Sequence, residues 1–496
     1  MSGAEPARVA VVGGGISGLA AAYRLRTLLG STAEIVLVEG SRRLGGALRT
    51  VELGGLPFDV GAEAFLTRRP EGVGLVAELG LGGQLTHPTP AAPTVRAAGR
   101  TVALPTRTLL GLPGTAADVA GLLSGPGVAR VAAEPTVPLC WESGQDAAVG
   151  PLLRERAGDE LVDRLVDPLL GGVYAGRADA LGLRATLPAV ATALDRGAGS
   201  LLVAAGAALS SGGLPPGGLA AGGARSPVFG TLLGGLGGLV EALVAAAGVR
   251  PRLGLPVRGL ARTAGGWRLE LGGHVHRASS PEHLDVDAVV LAVPAPALRR
   301  LLADPLPVAS AAAGRVEVAS PAVVGLALPL SAAQALPAAS GVLVASTEPL
   351  SVKAFTFSGR KWAHASSHQV LLVRGSLGRH GEARVLQCDD AELVNAVRAD
   401  LAAVTGITAA PVDTVVFRWG GGLPQYAPGH CEVVATLEQE VAGAAGLAVA
   451  GAILHGVGLP ACIATADAAA HRIAVYLETA GWSRAPAAAS GGTMGS

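Results

Sequence analysis

The sequence predicts an α/β protein: a Rossmann-like domain assembled from separated stretches of chain, an interleaved mixed-sheet domain, and a helical insertion. Three observations carry that prediction. Residues 8–38 read as strand, glycine turn, helix and strand; a second glycine turn, in "GAILHGVGLPACIATADAAAHRI" at 451–473, opens another helix hundreds of residues later. Between them the chain passes from Pro-punctuated amphipathic stretches into a strand-rich region.

Each element follows from local composition. "RVAVV" at 8–12 is a short β-branched run ending in glycines, and "ISGLAAAYRLRTLL" at 16–29 carries helix formers with apolar positions at helical spacing. "EIVLV" at 34–38 closes a βαβ unit on Glu39. From about 85 to 230 loops alternate with amphipathic stretches such as 151–170, followed by a Gly/Ser/Pro-rich segment at 210–226, which reads as a helical insertion with a mobile loop. Helical periodicity returns at 237–248 and strands at 266–271 and 287–293, the second apolar as a strand buried on both faces must be. Residues 315–425 are strand-rich, 447–473 read as strand, glycine turn and helix, and the small-residue tail from Ser483 is expected to be disordered.

Composition excludes several classes. At 496 residues the chain is too long for one compact core. Half its residues are apolar and 15% charged, yet Gly, Pro, Arg and Asp interrupt every candidate membrane span. The 38 basic and 38 acidic residues balance without a basic patch, so a nucleic-acid partner is not expected. Cys140, Cys388, Cys431 and Cys462 are scattered, which indicates neither a disulfide framework nor a zinc site and fits a reducing cytoplasm. No signal peptide is expected, since cleavage near residue 20 would destroy the first glycine turn. His274 and His276 alternate along a polar stretch with no third ligand at metal spacing, so no metal site is expected.

The chemistry begins with Gly13-x-Gly15-x-x-Gly18. The first glycine permits the tight turn, the second lets backbone approach a pyrophosphate, and the third lets helix pack on strand, with Gly14, Ile16 and Ser17 completing the turn. Helix N–H groups and the macrodipole then face the phosphates. Glu39, about 20 residues beyond Gly18, is placed to accept hydrogen bonds from ribose hydroxyls. "GSRRLGGALRT" follows at once, and its Arg43, Gly45, Gly46 and Arg49 suit a second close approach to a phosphorylated cofactor.

That block resembles the motif after the ribose acid in the FAD-containing amine oxidase superfamily. The resemblance implies a bound FAD, with the C-terminal glycine turn presenting a helix N-terminus to the flavin ring: the backbone around Ala452, Val457, Gly458 and Leu459 would contact it. "FDVGAEAFLTRRP" at 58–70, "VDPLLGGVYAGRADALGLRATLPAV" at 166–190, "KAFTFSGRKW" at 353–362, "RWGGGLPQYAPGH" at 418–430 and "GVGLPACIATA" at 456–466 occur in order along nearly the whole chain. Together they resemble the HemY-type protoporphyrinogen and coproporphyrinogen oxidases, and "GAE" with "TRR" looks like the Gram-positive bacterial branch. The implied activity is six-electron oxidation of coproporphyrinogen III to coproporphyrin III, with flavin N5 accepting hydride, O₂ as final acceptor and H₂O₂ released; oxidation of protoporphyrinogen IX to protoporphyrin IX is the alternative, and no single residue distinguishes the two.

The same resemblance assigns Gly61, Ala62, Glu63, Ala64 and Val257 to the cofactor, and Arg69, Gly172, Val173 and Tyr174 to a substrate cavity with cations for the propionates. It names no certain catalytic side chain, because electron-rich pyrroles expel hydride without a strong base. Lys361 and Trp362 match the family's "KW" and are read as structural; His455 is left outside the catalytic set. The implied domains are FAD-binding at 1–85, 229–298 and 426–482, substrate-binding at 86–114 and 299–425, helical insertion at 115–228 and a tail at 483–496. The insertion would face the substrate and a membrane surface, or a ferrochelatase-like product acceptor, with the protein in the cytoplasm or at the membrane's inner face.

Rival readings are weaker. An amine oxidase cages its substrate in aromatics, and the chain has only 4 Tyr and 5 Trp. A carotenoid desaturase has no use for "GVYAG". A non-catalytic binding protein of the same fold would have lost the glycines and Glu39.

Overall fold

The computed structural model describes residues 6–210, 227–272 and 282–482. The segment 210–226 beyond Ser210, His274, His276 and the tail from Ser483 lie outside the described residues.

A four-stranded, all-parallel sheet forms the spine, in the order Glu34–Val38, Arg8–Val12, Ala288–Leu291, Leu447–Val449. Its strands are apolar throughout because both faces are covered. Val9, Val11, Ala288 and Val290 face one core with the helices Ile16–Leu29, Gly237–Ala247 and Leu459–Thr479. Ala10, Val12, Val289 and Leu291, one residue out of phase, face the other. There a three-stranded antiparallel sheet (Val257–Arg262, Trp267–Leu271, Glu282–Val286) and the helices Ala295–Leu302, Pro307–Gly314 and His430–Ala442 complete the layer.

A seven-stranded mixed sheet builds the second layer system, ordered Asp413–Arg418, Ala322–Pro329, Val370–Leu377, Val352–Thr356, Gly341–Val344, Pro93–Ala97, Arg100–Ala103. One face packs on the helix Asp390–Thr405. The other receives the hairpin Thr50–Leu53/Leu56–Asp59. Gly325 makes that fit possible: a Cβ there would stand 2.6 Å from the Phe58 ring and 2.7 Å from Leu53. Helices between Gly125 and Ser210 form a separate core and include a π-helical turn, Val162–Val166, leading directly into Asp167–Tyr174. Among the described residues no helix is long and apolar enough to cross a membrane.

The first glycine turn is sterically locked. A Cβ on Gly18 would lie 1.8 Å from the Gly13 carbonyl oxygen, and one on Gly13, whose φ is +105°, 2.2 Å from that of Ala292. Neither neighbour is a side chain that can swing away. Gly238, in the first turn of Gly237–Ala247, has nothing within 4 Å of its Cβ position. Gly18→Ala is therefore expected to destabilise the protein by about 3 kcal/mol, whereas Gly238→Ala stabilises it by about 0.5 kcal/mol. Urea unfolding of both variants checks this, and equal effects would contradict it.

Candidate functional site

Beyond the C-terminal edge of the parallel sheet, where open α/β sheets bind ligands, lies a cavity of about 440 Å³. Gly13, Gly15, Ile16 and Ser17 form one wall and Ala452, Val457 and Leu459 another, with Glu39, Gly46, Ala62 and Val257 between. The two glycine turns thus meet. A Cβ on Gly451 would lie 3.8 Å from Ser17 Oγ, and Ser17 and Cys462 line the same cavity. Burial pushes the Cys462 thiol up to about 11, leaving it protonated and inert.

Both helices start without a cap. Gly15 and Gly458 are the N-cap residues; neither offers a side-chain oxygen, and neither helix has an acidic residue in its first turn. Their N–H groups and dipoles are left for a ligand. Pro460 near the start of the second helix gives up only an N–H that no helical carbonyl would accept.

Glu39 ends the second strand of the sheet. Its Oε2 accepts from Gly14 N–H at 2.6 Å and Oε1 from Ser41 N–H at 2.7 Å, which holds the carboxylate in the cavity wall with lone pairs to spare. Gly45 donates its N–H to the Gly14 carbonyl at 2.7 Å, bringing the second glycine pair onto the first turn. Arg43 braces this loop: its guanidinium donates to the Gly46 carbonyl at 2.6 Å and that of Leu44 at 2.9 Å, and lies over the Trp419 ring at 5.6 Å. Arg49 lies 4.4 Å from the Phe417 ring centre. Gly61 is required by packing, since its Cβ would meet the Ala47 carbonyl oxygen at 1.9 Å.

Glu63 and its neighbour Ala64 stand just outside this wall. Glu63 pairs with Lys361, accepts from Trp362 Nε1 at 3.3 Å and lies 3.5 Å from Arg374. Burial alone would raise its pKa; the two cations and the hydrogen bonds outweigh burial and hold it at about 2. Arg69, the N-cap residue of the helix Pro70–Glu78, pairs at 2.8 Å with Glu71 in that helix's first turn, and its side chain is 40% exposed. Gly172 and Val173 are exposed, but Tyr174 is buried 5.5 Å from the Tyr426 ring, which stacks on His430 at 3.8 Å. Tyr426 Oη donates to the Ala452 carbonyl at 2.6 Å, and His430 Nε2 lies 3.2 Å from the Leu454 carbonyl. This stack therefore fixes the C-terminal glycine turn from behind. His455 pairs with Glu438 at the surface.

Sequence reasoning missed Ala292–Ala295, Arg300 and Leu423–Pro424, which also line the cavity. The signal for the first group was present: residues 292–295 straddle the end of the predicted strand 287–293, and such strand ends carry ligand sites.

The cavity suits a long cofactor that is anionic at its middle and electron-rich at one end: two uncapped helix starts, a carboxylate for hydroxyls, and glycines where a Cβ has no room. Residues 16–474 match the model of the family of flavin containing amine oxidoreductases. The coproporphyrinogen III oxidase of Mycobacterium leprae is 46% identical, over 92% of this chain and 96% of that protein. That of Bacillus subtilis is 30% identical over 95% and 98%. Among solved structures, a putative protoporphyrinogen oxidase from Exiguobacterium sp. 255-15 superposes with a TM-score of 0.79 at 29% identity, covering 95% of this chain and 99% of that one. The chain belongs to the flavin containing amine oxidoreductases, FAD enzymes, and within them to the group that holds the mycobacterial coproporphyrinogen III oxidases.

Proposed function

We propose that this enzyme oxidises coproporphyrinogen III to coproporphyrin III, using O₂ as acceptor and releasing H₂O₂. The observation that carries this reading is the single cavity onto which both helix N-termini open; the substrate follows from the names of the relatives. FAD, when bound, supplies a two-electron acceptor. Loss of six electrons and six protons then balances against three O₂ reduced to three H₂O₂.

The chain's own residues hold, orient and exclude water. Gly15, Ile16 and Ser17 would offer backbone N–H groups to phosphate oxygens, and Glu39 would accept from ribose hydroxyls. At the other end the Leu459–Thr479 helix places its N-terminus where negative charge develops, a stabilisation of about 0.3–2 kcal/mol. Tyr426 and His430 keep the Ala452–Leu454 backbone from shifting. The wall here is Ala452, Val457, Leu459, Leu423 and Pro424, with no acid or base side chain among them. That apolar wall suits a substrate whose pyrroles drive hydride loss themselves, so positioning supplies most of the catalysis.

Glu63, Lys361 and Arg374 would keep the cofactor's neighbour loop rigid through their mutual charges. Because the folded pKa of Glu63 lies below the usual carboxylate value, its contribution is full above about pH 4.5 and is lost as pH falls toward 2. It amounts to at most about 3 kcal/mol. Urea unfolding should find the wild type more stable than Glu63→Gln at pH 6, with the gap narrowing as pH drops to 3; a gap that does not narrow contradicts the assignment.

The function itself is tested by anaerobic mixing of the yellow holoenzyme with coproporphyrinogen III. Bleaching of the flavin, followed on O₂ admission by porphyrin fluorescence and peroxide, is expected. Protoporphyrinogen IX should react with lower kcat/KM. Bleaching by amines and none by either porphyrinogen would overturn the proposal.

A further inference from the structure

The helix Asp167–Tyr174 packs over the strands Gly341–Val344 and Val352–Thr356. Where these elements meet sit two buried cations that nothing in the cofactor cavity requires. Lys353 is 6% exposed and Arg379 is 7% exposed. Lys353 Nζ donates to the Gly378 carbonyl at 3.1 Å, and Arg379 Nη2 to that of Val344 at 3.1 Å. Among the described residues neither forms an ion pair.

Of the acids nearby, Glu382 and Glu63 are already committed, and none forms an ion pair with Lys353 or Arg379. Glu382 takes Arg177 at 2.6 Å and the backbone N–H of Arg379 at 3.1 Å. Asp167 accepts from Ala178 N–H at 2.8 Å through Oδ1, while its buried Oδ2 has no hydrogen-bond partner and attracts Arg379 through space; Glu63 belongs to Lys361 and Arg374. Burial first, then the charges of Arg379 and Arg374, push the Lys353 ammonium down to about 7. Glu382 and Asp167 attract Arg379 without offsetting its burial, and a buried cation without a paired anion is costly unless a bound group supplies one.

Access is on the helix side. The Arg379 Nε lies 3.9 Å from where a Gly171 Cβ would be, and the next two residues, Gly172 and Val173, are exposed, Val173 by 38%. Bare backbone thus separates the cations from open space. Leu343, from the strand beneath, reaches within 3.4 Å of the Gly172 Cβ position and gives this spot an apolar flank.

We propose that Lys353 and Arg379 form a binding site for one carboxylate of the substrate, reached past the Gly171–Val173 backbone. The inference rests on the proposed function, in which the substrate is an acidic macrocycle. A carboxylate there would accept charge-assisted hydrogen bonds from donors that the protein leaves unused.

The test is Lys353→Met in the holoenzyme, a change that removes the charge and keeps the apolar stem. Flavin content and Tm like those of the wild type are checked first. KM for coproporphyrinogen III is expected to rise about 10-fold or more, with kcat changed by less than about threefold. The Kd for coproporphyrin III, from fluorescence quenching, should rise in parallel, and Lys353→Arg should restore most of both. KM and Kd within about twofold of wild type, or kcat lost at unchanged KM, would overturn the site and leave the functional reading standing. A wild-type holoenzyme that oxidises no porphyrinogen overturns that reading, and the site with it. If Lys353→Met does not accumulate as holoenzyme, Lys353→Gln gives the same readout.

Discussion

Everything in this structure depends on two helices starting side by side beyond one edge of one parallel sheet. Ile16–Leu29 and Leu459–Thr479 pack closely because the contact is made of small side chains, Ala20, Ala21 and Ala22 on the first and Ala466, Ala469 and Ala470 on the second, all in one buried cluster. Each helix leaves its strand through a glycine turn, so both positive ends open into the same cavity. Two uncompensated helix starts aimed at one space repel unless something negative lies between them. Both helix starts therefore favour an anion between them, and a phosphorylated flavin has the right shape and sign.

The remaining parts divide the labour. Around the cavity, tolerance is set by backbone: Gly13, Gly18 and Gly61 each sit where a Cβ would overlap a carbonyl oxygen. The seven-stranded sheet instead supplies side chains, with Arg374 and Lys353 on adjacent strands. Between the two systems the Tyr174–Tyr426–His430 stack links the helix Asp167–Tyr174 to the carbonyls of Ala452 and Leu454. A displacement of that helix would be felt at the C-terminal glycine turn through rigid rings rather than through a flexible loop.

How much of this could be read in the sequence follows from which interactions are local. The parallel strands were legible because burial on both faces leaves uninterrupted apolar runs, and the glycine turns because strand, turn and helix adjoin in sequence. Glu39 was legible by its spacing. Arg43 was legible as a cation beside the glycines, but that its guanidinium would brace the Leu44 and Gly46 carbonyls depends on how the loop closes. The Tyr426 hydroxyl bond to Ala452 and the Lys353–Gly378 contact join residues on different elements, which no periodicity reveals. Glu63 and Lys361 are nearly 300 positions apart, so their pairing could only emerge from the fold.

The central claim is that one cofactor molecule engages both glycine turns at once. Amide hydrogen exchange, followed while FAD is titrated into the stripped protein, tests it most directly. Residues 13–19 and 451–462 should gain protection together, with a single midpoint in FAD concentration. Protection of one turn while the other exchanges unchanged would contradict it.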